Sequence, residues 1–291
     1  MYVEFYRKLG KIQAEYRKRL EKEKLFQAPK GNLTSMKKGL PIVRFSRIKT
    51  NDVILKNLFK DIYQLFVGFN SKMIEELNIK ELLEKVMAED AEYLERLSDT
   101  LKIDKDLLYF ISINTVKPIF ETVARKIADK IDEKVWFRSY CPVCGSKPIM
   151  ARLKKEDGKR VLQCLICNTE WQFSRIKCIY CGTEDPKDLR FFWADNGCWR
   201  IDVCDKCKGY IKTLDERNLS YGVAFKMITR RQGGGDEGIL SSMLKEPTTK
   251  PTKLAFECDF VSEDKEIIPL IEDIATTYLD ILAEKEGYYK R

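Results

Sequence analysis

Residues 140–145 read YCPVCG, and three more cysteine pairs of the same spacing follow: CLIC at 164–167, CIYC at 178–181 and CDKC at 204–207. Two cysteines separated by two residues can grip one ion from a single tight turn. A tetrahedral ion needs four such donors at about 2.3 Å. Two pairs therefore make one closed site, and four pairs make two. The 291 residues around them include no histidine, so any site here is built from thiolates. Thiolate in tetrahedral geometry suits zinc or iron.

The pairs lie inside an internal repeat. CPVCGSKP…GKRVLQCLICNTEW at 141–171 is echoed by CIYCGTED…GCWRIDVCDKCKGY at 178–210. Each copy holds two strand-like runs between its pairs. PIMARL (148–153) and RVLQC (160–164) flank Asp157-Gly158, while LRFFWAD (189–195) and CWRIDV (198–203) flank Asn196-Gly197. Such dipeptides between apolar runs are strong hairpin signals. A hairpin would carry the second pair of each copy back beside the first. The expected metal ligands are thus Cys141, Cys144, Cys164 and Cys167 in one site, and Cys178, Cys181, Cys204 and Cys207 in the other.

The first spacing falls within the usual range for paired-cysteine zinc sites, and the second is slightly longer. Interleaved pairing, as in a cross-brace, and disulfides stay open as alternatives. The repeat favours sequential sites, and a reducing compartment favours metal. Gly145 and Gly182 follow their pairs directly, Asn168 follows another, and Gly209 lies two past the last. Such residues tolerate positive φ and let backbone N–H groups turn toward sulfur. Cys198 and Cys258 read as ordinary small residues.

Working outward, composition changes at Val135. Upstream, Tyr2, Phe5, Tyr6, Leu9, Ile12, Tyr16 and Leu20 form one apolar helical stripe, and Leu55, Leu58, Phe59, Ile62, Leu65, Phe66, Phe69 and Met73 form another. Residues 27–48 read as a loop or partly ordered connector. Asn78 and Glu81 make a capping box that opens a third helix through about Leu101. Asp104 caps a fourth with the stripe Leu108, Ile111, Phe120, Val123, Ile127 and Ile131, which Pro118 should kink or break. Residues 232–238 and 246–253 read as linkers. Ile267, Leu270, Ile271, Ile274, Tyr278, Ile281 and Leu282 form a closing helix, expected to dock on the N-terminal helices. The fold class is α+β, mainly α.

Chemistry is narrowed by what is missing. Without histidine, Ser-His and Cys-His nucleophilic pairs cannot form, and a closed Cys₄ shell has no open position for water. No phosphate-cradling glycine loop follows a strand. An enzyme is not expected. The formal charge of +8 falls to about +4 once each four-thiolate site carries a divalent ion. Charge therefore does not demand a nucleic acid, although a zinc-ribbon nucleic-acid binder remains an alternative. No apolar run approaches the ~20 residues of a membrane span, and the first twenty residues carry charge throughout, unlike a signal peptide.

Across 140–217, from YCPVCGSKP through CNTEWQFSRIKCIYCG to CDKCKGYIKTLDER, the sequence resembles the FdhE family, the formate dehydrogenase accessory proteins. The four cysteine pairs, Cys-Asn-Thr-Glu-Trp at 167–171, Arg175 and Tyr-Ile-Lys-Thr-Leu at 210–214 carry the resemblance. IEDIATTYLDILAEKEGY at 271–288 looks like the family's closing helix. The resemblance implies a helical domain at 1–135, tandem rubredoxin-like modules at 136–175 and 176–217, a linker or insertion at 218–263, and a C-terminal helix within 264–291. The insertion is longer than the family leads one to expect. The resemblance further implies a cytoplasmic maturation factor that binds the catalytic subunit of a formate dehydrogenase, with two tetrathiolate-bound metal ions, zinc or iron. A rubredoxin-type electron carrier is a lesser alternative, and self-association stays open. Glu170, Arg175, Tyr140, Tyr180 and Tyr210 are the expected contact residues, while Trp171, Phe173, Trp193 and Trp199 are expected to pack the core.

Overall fold

Four helices in the first half begin where an Asn or Asp side chain can replace a missing backbone acceptor. Asn51, Asn78, Asp90 and Asp104 accept from the amides of Val53, Glu81, Tyr93 and Leu107. Such caps each stabilise a helix start by about 1 kcal/mol. They open α2 (Asp52–Tyr63), α3 (Ile79–Met87), α4 (Ala91–Leu101) and α5 (Lys105–Lys126), which follow α1 (Tyr2–Leu20). The computed structural model describes residues 2–25, 36–66, 75–132, 135–193, 198–218 and 277–290. It divides into two units, Met1–Pro148 with Gln163–Trp171, and Ile149–Leu162 with Gln172–Arg291.

In the first unit, α1, α2, α3 and α4 all pack on α5. The middle of α5, from Ile111 to Ala124, is buried on every side. This corrects the expected one-sided stripe. Its polar residues are tolerated because Ser112, Asn114, Thr115 and Thr122 bond back to carbonyls one turn earlier. Pro118 neither breaks the helix nor leaves a buried carbonyl without a donor. Proline lacks the N–H that would bond the Asn114 carbonyl, and Gln13 Nε2 of α1 supplies that donor at 3.0 Å.

The single helix expected from Asn78 to Leu101 is two. Glu89 takes a positive φ of 55°, the Asp90 amide closes on Lys85 O at 3.1 Å, and Asp90 then caps the next helix. Part of the 27–48 connector is ordered: Met36, Ile42, Val43, Phe45 and Ile48 are buried. The backbone amides of Ile42 and Val43 donate to the carbonyls of Pro142 and Val143, seating the first cysteine pair against this segment. Cys141, Cys144, Cys164 and Cys167 all lie in the first unit with the helices.

The second unit takes in most of β1 (Pro148–Leu153) and the start of β2 (Arg160–Cys164), with β4 (Leu189–Trp193), β5 (Trp199–Cys204) and β6 (Tyr210–Asp215), in the order β2-β1-β6-β5-β4. The short β3 (Glu170–Gln172) lies between β2 and β4 in the chain. β4 and β5 form the expected antiparallel pair. The Asn196-Gly197 turn lies outside the described residues. β1 runs parallel to β6, with Ala151 opposite Thr213, so strands from both repeats share one ladder.

Within the second unit the C-terminal helix α6 (Thr277–Lys285) packs on β6. Tyr210 and Lys212 of β6 bond both oxygens of Asp280. Leu279 and Ala283 are its buried apolar residues, whereas Ile281 is exposed. The rest of the expected stripe, from Ile267 to Ile274, lies outside the described residues, as do both linkers and Cys258.

Replacing Gln13 with Leu should destabilise the first unit by about 1–3 kcal/mol, the cost of leaving a buried carbonyl unpaired. Urea denaturation of Gln13→Leu, Pro118→Ala and the double variant checks this. Because alanine restores the missing amide, the double variant should recover most of the loss.

Candidate metal centres

Each cysteine pair is built by one turn used four times. The amide of the first cysteine bonds the carbonyl five residues on: Cys141 to Ser146, Cys164 to Thr169, Cys178 to Thr183 and Cys204 to Gly209, at 2.9 to 3.0 Å. The residue four past that cysteine takes a positive φ: Gly145 at 81°, Asn168 at 57°, Gly182 at 74° and Lys208 at 57°. Closing the turn this way points both cysteines of a pair inward. In the last pair the positive φ falls on Lys208, not on Gly209 as expected. Gly209 answers a different demand, since a Cβ there would lie 2.5 Å from the Tyr180 ring. That ring is anchored by its hydroxyl, which donates to Tyr210 O at 2.8 Å.

The eight sulfurs converge in two groups, Cys141, Cys144, Cys164 and Cys167, and Cys178, Cys181, Cys204 and Cys207, each with all sulfurs within 4.8 Å of one another. The grouping is sequential. Cys141–Cys167 and Cys144–Cys164 approach to 3.4 Å, and Cys178–Cys207 and Cys181–Cys204 to 3.7 Å. A tetrahedron of sulfurs about 2.3 Å from a central ion has edges of about 3.8 Å. A disulfide brings sulfurs to about 2.05 Å, and the described cysteines are all free.

Electrostatics give the groups their character. Burial pushes the Cys141, Cys164 and Cys167 thiols well above their ordinary range. Burial acts the same way on Cys144, yet hydrogen bonding with the other three sulfurs and with Ser146 outweighs it and holds this thiol well below. In the second group burial pushes Cys204 up to about 12 and raises Cys207. Cys181 is lowered, because the Thr183 amide and its sulfur neighbours overcome burial. Four thiolates this close repel one another, so without a cation the four do not ionise together. A divalent cation at the centre would favour all four thiolates.

Further donors aim at the sulfurs. The amides of Ile166 and Cys167 bond Cys164 Sγ at 3.3 and 3.4 Å, and the Tyr180 amide bonds Cys178 Sγ at 3.4 Å. Thr169 Oγ1 lies 3.0 Å from Cys167 Sγ. This donor set fits zinc or iron in a closed shell.

The first group is locked into the helices by one carboxylate. Glu121 of α5 accepts from Arg17 of α1 at 2.7 Å and from Asn168, the turn residue behind Cys167, at 2.8 Å. Trp171 Nε1 bonds Arg138 O, and Trp136 Nε1 bonds Tyr140 O.

The family model described as "FdhE, central domain" matches residues 140–175. The protein FdhE homolog of Aquifex aeolicus is 29% identical over 219 residues, covering 73% of this chain and 61% of that protein. The FdhE homolog of Citrobacter koseri is 40% identical over 81 residues, 26% of either chain. The crystal structure of the FdhE protein from Pseudomonas aeruginosa superposes with a TM-score of 0.58 at 16% identity, covering 100% of this chain and 86% of that one, which shows a shared fold. The chain is thus similar to FdhE proteins in its central cysteine-bearing segment, in sequence along most of its length and in fold. It spans less than two thirds of the length of the curated FdhE relatives it matches here.

The expected contact and core residues divide unevenly. Trp171, Phe173 and Trp199 are buried as expected, but Trp193 is 43% exposed on β4. Tyr210, expected at the surface, is 1% exposed and donates to Asp280. Tyr140 and Tyr180 are half-buried, and each hydroxyl is bonded to a backbone carbonyl. Cys198 stands apart from both sulfur groups, its thiol 3.6 Å from Asn218 O. Sequence reasoning missed the clamp behind the last pair. Asp205 is held well below the usual carboxylate range by Arg190, with Tyr288 and Lys208 adding to it, and the Tyr289 amide bonds Lys208 O at 2.7 Å. Lys208 and Tyr288 are too far apart in the chain for any local pattern to pair them.

Replacing Glu121 with Ala would strip the carboxylate from Arg17, whose side chain is only 3% exposed. The expected cost is about 3–5 kcal/mol, read by chemical denaturation. Amide exchange at Asn168 and Thr169 should accelerate in the same variant.

Proposed function

We propose that this chain is an accessory factor in formate dehydrogenase maturation, that each Cys₄ group holds one zinc or iron ion, and that the protein acts by binding the catalytic subunit of that enzyme. The observation that carries this reading is the presence of two four-sulfur groups in a chain similar to FdhE proteins. A tetrathiolate zinc or iron ion has its positions filled by protein, so the chemistry it supplies when bound is cross-linking, with one-electron transfer added if the metal is iron. The chain's own residues do the rest. The four turns place the sulfurs, backbone amides offset their charge, and Glu121 and Asp205 tie the shells to neighbouring elements.

A role by contact also fits the surface. Trp193 projects from β4, which is last in the strand order, and forms an edge-to-face pair with Phe191 at 5.6 Å. Exposed aromatic residues of this kind serve as anchors at protein interfaces. The basic stretch at 152–160 offers little to nucleic acid, because its side chains pair internally. Arg152 and Lys154 face Glu216, Lys159 faces Asp157, and Arg160 faces Asp202. No helix among the described residues is long and apolar enough to cross a membrane.

Metal analysis of anaerobically purified protein should find two ions per chain, and the metal-loaded protein should capture the formate dehydrogenase catalytic subunit in a pull-down. Trp193→Ala should weaken capture about tenfold or more while metal content and thermal stability stay unchanged. Absence of zinc and iron, or no capture by loaded protein, would defeat the proposal.

A further inference from the structure

The second unit carries a half-open cavity of about 480 Å³ lined from β2, β4, β5, β6 and the segment between β3 and β4. This volume suits a small organic molecule and far exceeds an inorganic anion. Ile176, Leu189 and Phe191 give it an apolar side, and Phe191 is 50% exposed. Arg160, Arg175 and Arg200 give it a cationic one.

The charges there do not balance. Arg160 and Arg200 are 5% and 8% exposed, and both lie beside the Asp202 carboxylate, at 3.8 and 2.9 Å; Asp215, which Arg200 also helps to hold ionised, is bonded by Arg217. Asp202 also accepts from Thr213 Oγ1 at 2.7 Å. The remaining bonds of Arg160 go to the neutral carbonyls of Ser174 and Lys177. Its Nε has no acceptor among the described residues, and the N–H of Arg200 Nε is not directed at the nearby carboxylate. Arg175 is exposed and forms no ion pair with a described residue. The other cations of the lining are committed, Lys177 to Glu184 and Arg190 to Asp205. Two buried guanidinium groups thus share the Asp202 carboxylate, and the exposed Arg175 adds a third positive charge to the same lining. Guanidinium presents a planar fork of donors that matches carboxylate and phosphate oxygens.

Cys178 and Cys204 also line the cavity, so a loaded thiolate shell could be what the guanidinium groups neutralise. The hydrogen bonds point elsewhere: none of these guanidinium groups bonds a cysteine sulfur among the described residues, and Cys178 takes its donor from a backbone amide.

We propose that this cavity binds a small organic anion. A carboxylate or phosphate head sits on Arg160 and Arg200, with Arg175 drawing it in. An aromatic or apolar body lies against Ile176, Leu189 and Phe191. The assignment is independent of the client-binding reading.

Calorimetric titration of the full-length, metal-loaded protein tests it with four probes: adenosine monophosphate, 2-naphthoate, adenosine and inorganic phosphate. At least one organic anion should bind at least about tenfold more tightly than both adenosine and inorganic phosphate. The phosphate and carboxylate arms distinguish the two kinds of head. Arg175→Ala and Phe191→Ala alter exposed side chains and should each weaken that binding about threefold or more. Arg200→Met should abolish it with two metal ions still bound. If neither organic anion binds at millimolar concentration, or if Arg175→Ala and Phe191→Ala leave affinity unchanged, the proposal fails. Loss of the second metal in Arg200→Met, with no anion bound by the parent, would assign the guanidinium groups to counter-charge alone.

Discussion

A cysteine pair can present two sulfurs to one point only if the chain reverses immediately behind it, and this constraint governs the molecule. The reversal demands a left-handed residue four places after the first cysteine. Glycine meets it twice at no steric cost, asparagine once, and lysine once at a cost of about 1–2 kcal/mol. The same backbone bond, from the first cysteine's amide to the carbonyl five residues on, closes all four turns. Local chain geometry thus does the work of aiming donors, and the surrounding folds need only bring two finished turns together.

They do so in different ways. In the helical unit the finished turns are held by side chains from far along the sequence. Glu121 joins α1, α5 and the Asn168 turn, and residues 42–43 pair with the Cys141 turn. The buried helix α5 tolerates this polar traffic because each group finds a partner. The carbonyl deprived of a donor by Pro118 is met by Gln13. In the other unit the turns are held by strand pairing, with Tyr288 and Asp205 closing over the last one. Two sulfur shells with the same internal design therefore rest on unlike supports, one on buried side-chain bonds and one on a backbone ladder.

The parallel pairing of β1 with β6 makes the two repeats parts of one sheet. It also brings Arg160 of one repeat alongside Arg200 and Asp202 of the other. The cationic cavity exists only because of that junction, since neither repeat alone carries the full set.

The cysteine spacing, the hairpin dipeptides and the internal echo were enough to read which eight sulfurs group and how, because each signal is local and each turn is chemically self-contained. Helix starts at Asn78 and Asp104 were legible for the same reason, since a cap acts within three residues. Local reading failed where a distant partner overrode the pattern. Pro118 sits inside an unbroken helix because of Gln13, α6 buries Leu279 and Ala283 because β6 offers Tyr210 and Lys212 to Asp280, and Trp193 is exposed because β4 ends the strand order. Sequence determined the sulfur shells through short-range geometry. Only the tertiary structure decided what holds each shell and where buried charge accumulates, because those depend on contacts between residues tens to more than a hundred positions apart, which no local spacing encodes.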